Sequence, residues 1–205
     1  MSESEDRHAA EPHRPYFSLR DLSQIAAAGV GAALIDMVVK RSLGIALPGV
    51  PFSGSLVAAL PRTVLILVVA CRTRKAGAIA LLSLVEGSVN FAMGGVFPLS
   101  FVSPLGAGLL GEATWFLTGV MKRLLLLRLA ITGAILAVGR LVMASGFAMI
   151  LGLPLVRWFT TAPLMVGAIF LLNIVLGGLA GALSRIFFRE LQHLGLAAHE
   201  EHGRD

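Results

Sequence analysis

Apolar positions along this chain come in long blocks, separated by short polar stretches rich in proline, glycine or basic residues. A helix that crosses a bilayer needs about 20 mostly apolar residues, with a range of roughly 17–25. Six segments fit that demand to differing degrees: Leu22–Val39, Leu56–Cys71, Ala76–Phe97, Leu99–Val120, Leu124–Leu151 and Pro163–Phe188. The second is short and carries Pro61, which should kink or break it. The fourth has Pro98 and Pro104 at its start, and irregular backbone there must be buried in protein or line a cavity. Leu43–Ser55 holds Pro48, Gly49, Pro51 and Gly54 and is expected to be a turn-rich loop. Ser18 with Asp21 makes a cap for the first helix, and Thr161 before Pro163 a cap for the sixth.

Composition narrows this to an all-α integral membrane protein. Of 205 residues, 56% are hydrophobic and only 14% charged, against about 25% charged in soluble domains. Mean hydropathy is +0.83. The net charge of +5 calls for no nucleic-acid partner, because basic residues in short cytoplasmic loops produce the same balance. With six spans, twelve of the 17 basic residues gather on the side of the termini. Three (Lys40, Arg41, Arg157) lie on the other side, and Arg62 and Arg140 fall within spans. That bias predicts six transmembrane helices with the N- and C-termini cytoplasmic. Residues 1–17 are then a disordered cytoplasmic tail, 18–190 the membrane domain and 191–205 a flexible tail. The acidic, polar start differs from a secretory signal. The expected location is the inner (cytoplasmic) membrane, with the lipid bilayer as a standing partner.

Ionisable groups at bilayer depth cost at least ~2.5 kcal/mol each on insertion scales, so they face a cavity or a partner. Asp36, Arg62, Glu86, Glu112 and Arg140 sit inside the predicted spans, with Asn90 one turn beyond Glu86. At ~1.5 Å per residue, Arg62, Glu86 and Glu112 fall at a similar depth, about 12–15 Å from the cytoplasmic ends. Trp115 and Phe116 share a face with Glu112. A carboxylate beside an aromatic ring suits a flat cationic or hydrogen-bonding heterocycle. Glu86, Asn90, Glu112 and Trp115, with Arg62 and Asp36, are therefore expected to bind substrate in one outward-opening pocket. The competing reading is an internal ion-pair set joining Glu86 or Glu112 to Arg62 or Arg140, and Asp36 could simply pair with Lys40 one turn on.

Small residues at Ala28 and Ala32, and at Gly29 and Ala33, form a stripe that permits close helix approach. The stripe serves packing within the bundle or docking of another subunit. Signs of catalysis are few. All five histidines lie in the expected tails, and no Gly-x-Ser-x-Gly, HExxH or phosphate loop is present. No metal, cofactor or catalytic residue is expected, and the His-Glu-Glu-His run at 199–202 reads as solvated tail.

Two stretches add a resemblance. RTRKAGAIALLSLVEGSVNFAMGG at 72–95 and SPLGAGLLGEATWF at 103–116, with six helices and the small-residue stripe, resemble the S components of energy-coupling factor (ECF) transporters, of the hydroxymethylpyrimidine/thiamine type. The resemblance implies a substrate-capturing subunit of an ABC importer that binds a vitamin or precursor, such as a thiamine-related pyrimidine, from outside. It implies no enzyme activity in this chain. It further implies docking through Ala28 and Ala32 to a membrane T component that carries two ATPase subunits. A stand-alone proton- or ion-coupled carrier, and a membrane enzyme or accessory subunit, are the alternatives the residues leave open.

Overall fold

The computed structural model describes residues 16–46, 53–97, 99–120, 124–152 and 157–193. Of the expected tails at 1–17 and 191–205, residues 1–15 and 194–205, with His199–His202, lie outside them, and so do residues 47–52 of the expected 43–55 loop; residues 43–46, 53–55 and 191–193 are instead helical. The described chain is all-helical. Its α-helices are α1 (Leu19–Ala46), α2 (Ser53–Thr73), α3 (Ala78–Ala92), α4 (Leu99–Leu117), α5 (Leu125–Ile150), α6 (Arg157–Thr161) and α7 (Pro163–His193), with a 3-10 turn at Thr118–Val120.

α1, α2, α5 and α7 contain stretches long and apolar enough to cross a membrane. α3 has 15 residues, about 22 Å at 1.5 Å per residue, short of a ~30 Å hydrocarbon core. The chain reads as a multi-pass membrane protein, and its polarity runs inside out. Leu34, Val38, Leu109, Leu171 and Leu179 are exposed, whereas Asp36, Arg62, Glu86, Arg140 and Asn173 are buried. In water such an apolar exterior would drive association, while in lipid it is the favoured surface.

The long helices close into a ring in the order α1, α2, α7, α5, α4, α3, with α2 also touching α3 and α5. Consecutive long helices run antiparallel. Gly133 of α5 meets Gly177 and Gly181 of α7, and Leu129 meets Gly181, so sequence numbers rise in opposite directions across the seam. A Cβ at Gly133 would collide with the Gly177 carbonyl. Hydrogen at these positions is what lets the two backbones approach, since apolar helices gain little by leaving lipid for one another.

Several local expectations change. α2 runs unbroken through Pro61, packed between α1 and α7, and neighbouring helices let a membrane helix tolerate proline. α4 likewise continues through Pro104. Ser18 and Asp21 do form a reciprocal cap, each backbone N–H donating to the other's side chain at 3.0 and 3.1 Å. Thr161 does not cap α7. It closes the short α6 by donating to the Arg157 carbonyl.

Candidate functional site

The ionisable residues divide into two groups at different depths. The first lies mid-bundle and joins four helices. Arg140 of α5 donates from Nη2 to Asp36 Oδ2 of α1 at 2.7 Å and from Nη1 to Glu86 Oε1 of α3. Arg62 of α2 lies alongside, with Nη1 3.6 Å from Asp36 Oδ1 and Nε 4.0 Å from Glu86 Oε1. Those distances suffice for charge attraction but exceed a hydrogen bond. Lys40 donates to Asp36 Oδ2 at 2.7 Å, and its half-exposed side chain carries the network toward the far end of α1. The expected Asp36–Lys40 pair exists as one edge of a larger set. Ser103 of α4 donates to the Arg140 carbonyl at 3.1 Å and fixes α4 against α5 at this level.

The arrangement follows from register. Glu86 is eight residues into α3 and Arg62 eleven from the end of α2, about 12 and 16 Å from that end of the bundle at 1.5 Å per residue. Asp36 arrives from α1 and Arg140 from α5 at a comparable level, and all four are buried. Desolvated charges need close partners, which explains why the guanidinium of Arg140 bridges two acids. The space beside Arg62, Glu86 and Arg140 is about 10 Å³, room for a single water. Two polar atoms here, Asp36 Oδ1 and Arg62 Nη1, have no hydrogen-bond partner among the described residues, and neither does Asn90 Nδ2, one turn beyond Glu86 on α3.

Glu112 belongs to the second group, and its expected pocket with Glu86, Asn90 and Trp115 is not formed. Its carboxylate accepts from the backbone N–H groups of Gly77, Ile79 and Ala80 at 2.9, 2.9 and 3.3 Å. It is the cap of α3, supplied by α4, and it satisfies donors that the first turn leaves open. The depth estimate failed because α4 ends at Leu117, so Glu112 sits only about 7 Å from the helix end. Trp115 also has a partner. The Arg128 guanidinium lies 3.6 Å over its ring and donates to its carbonyl at 2.6 and 3.2 Å.

The small-residue stripe is spent inside the bundle. Ala28 is 6% exposed and Ala32 fully buried, and a Cβ at Gly29 would strike Val85 of α3. The expected docking pair therefore packs α1 inward, because its periodicity marks a close-packing face without saying which helix meets it. Arg140 is expected from the sequence only as one possible ion-pair partner, and Arg128 carries no sequence signal of its contact with Trp115. A lone arginine at the centre of an apolar run was the available signal for the first. Among the described residues no group of three or more metal-ligating side chains converges. Compared with family models, curated proteins and solved structures, the chain matches none.

Proposed function

We propose that this chain is a substrate-capturing transport subunit of the ECF kind, crossing the inner membrane six times with both termini cytoplasmic. In this reading α3 and α4 complete the six spans, and a small heterocycle is held beside Asp36, Arg62 and Glu86, with Asn90 one turn further along α3. One observation carries it: Asp36 Oδ1, Arg62 Nη1 and Asn90 Nδ2 are buried without hydrogen-bond partners. Buried polar groups are almost always paired. Asp36 Oδ1 and Arg62 Nη1, an acceptor and a donor 3.6 Å apart, match the edge of a pyrimidine, which offers donors and acceptors side by side.

The narrow space beside the network means that solute entry must part the helices. A solute that takes over hydrogen bonds from the ion pairs would offset that cost and couple binding to a change of shape. Energy for release would come from a T component with two ATPase subunits. As Ala28 and Ala32 are inward, coupling would use the outer face of α1, where Ala26, Ala27 and Val30 are exposed. The chain of charges reaching the half-exposed Lys40 favours a second reading, a stand-alone carrier driven by protons or ions.

The test is the small molecule that the detergent-purified protein retains, identified by mass spectrometry, with uptake of that molecule assayed in cells. Uptake that requires co-purifying ATPases supports the subunit reading. Uptake that persists without them and collapses with the proton gradient supports the carrier. In a Cys71-free background, an impermeant reagent outside the cell should label a cysteine at position 53 and spare one at position 74. Labelling of position 74 overturns the orientation.

A further inference from the structure

A cavity lies away from the ion network, where α2, α4, α5 and α7 end or begin. It measures about 370 Å³, within the range of ligand pockets. Arg74, Lys75 and Arg128 line it together with Trp115, Phe116 and Phe188, and no carboxylate does. Of the nearby acids, Glu112 caps α3 and Asp21 pairs with Lys75 at 2.6 Å, so the positive charge left over on the wall is that of Arg74 and Arg128. Arg74 has no ion-pair partner among the described residues. It sits in left-handed backbone at φ 51°, rare outside glycine, which ends α2 and places this side chain on the cavity wall. The Nε and Nη2 groups of Arg128 are held by the Trp115 carbonyl, leaving Nη1 to other partners.

The mouth is apolar where it meets the surface. Phe116 on its wall is 57% exposed, and Leu117 and Leu124, the chain neighbours of the lining residues Phe116 and Leu125, are 80% and 56% exposed. A second crevice of about 310 Å³ flanks the same ends of α5 and α7, with Leu126 and Leu183 on its walls and Arg185 and Arg189 beside them. Cationic side chains at one level, above apolar walls facing lipid, are complementary to a molecule with an anionic head and a hydrocarbon body. Basic pockets between membrane helices recognise phospholipid headgroups in this way.

We propose that the cavity lined by Arg74, Lys75, Arg128 and Trp115 binds the phosphate of an anionic phospholipid, with the start of an acyl chain against Phe116 and Phe188. A soluble phosphate ester shares the head chemistry but leaves the aromatic walls unused. This site is independent of any transported solute.

Native mass spectrometry of the full-length chain in detergent, titrated with dioleoylphosphatidylglycerol or dioleoylphosphatidylcholine, tests the proposal, with melting temperature as a second reading. The wild type should retain one phosphatidylglycerol at a concentration at least tenfold below that needed for phosphatidylcholine, and should melt later with it. Arg74→Gln, a change on an exposed turn, should weaken retention severalfold and remove the thermal gain. Arg74→Gln with Arg128→Gln should weaken it more than tenfold. Arg157→Gln, at the opposite end of the bundle, should leave both readings unchanged. Equal retention of the two lipids overturns the proposal, as does equal loss in Arg157→Gln. Stabilisation by glycerol 3-phosphate matching that by the lipid would reassign the site to a soluble phosphate and overturn it too.

Discussion

Glu86 and Glu112 look alike in the sequence, each an acid inside an apolar, glycine-containing helix, yet the bundle uses them in opposite ways. Glu86 meets side-chain cations from two other helices and is one corner of a four-helix charge cluster. Among the described residues Glu112 meets no cation. Its negative charge is balanced by three backbone N–H groups at the start of α3. A buried carboxylate in a membrane protein is thus no sign of a ligand until its local donors have been counted. After that count, the mid-bundle group retains unpartnered polar atoms, whereas both Glu112 oxygens are engaged.

The comparison can be broken most forcefully at Arg140. Arg140→Gln leaves Asp36 and Glu86 facing each other with only Arg62 and Lys40 to balance them. Removing one partner of a buried pair costs about 3–5 kcal/mol, and denaturant unfolding in detergent should show the largest loss of any single change described here. Glu86→Gln should fall somewhat below it, because Arg140 keeps Asp36, and should also weaken solute binding. Replacing Asp36, Arg62, Glu86 and Arg140 together by Leu or Met sharpens the point. Apolar substitutes for buried ion pairs are often neutral or stabilising. This variant should therefore melt near the wild type and yet bind no solute. Normal binding by it would make the cluster purely structural.

At the other region the effects should be smaller and of another kind. Glu112→Gln keeps one acceptor oxygen but loses the charge and one cap, a cost of about 1–3 kcal/mol. Solute affinity should be unchanged, and hydrogen exchange at Gly77 to Ala80 should speed up. A matching fall in solute affinity would return Glu112 to the binding site. Trp115→Phe should have the least effect, about 0.5–1 kcal/mol from the weaker cation–π contact with Arg128, again with solute binding intact.

How much of this was legible depends on the range of the interaction. Apolar block length alone placed the long helices to within a few residues at most ends, because the bilayer or its equivalent sets their minimum. The Ser18–Asp21 cap and the Asp36–Lys40 pair were readable too, being contacts three and four residues apart on one helix. Pro61 does not end α2, because α1 and α7 pack beside it and local sequence alone does not set the cost of a missing donor.

The same division separates what the sequence determined from what folding decided. Sequence alone dictated an apolar exterior, buried charges that must find partners, and an α1 face built for close approach. Tertiary structure decided which partners: Arg140 for Asp36 and Glu86, a helix N-terminus for Glu112, α3 for Gly29 and the bundle interior for Ala28 and Ala32. The physical reason is that spacing along a helix tells which residues share a side. The axial rotation and relative height of each helix, which bring that side to a particular neighbour, come only from packing all of them at once.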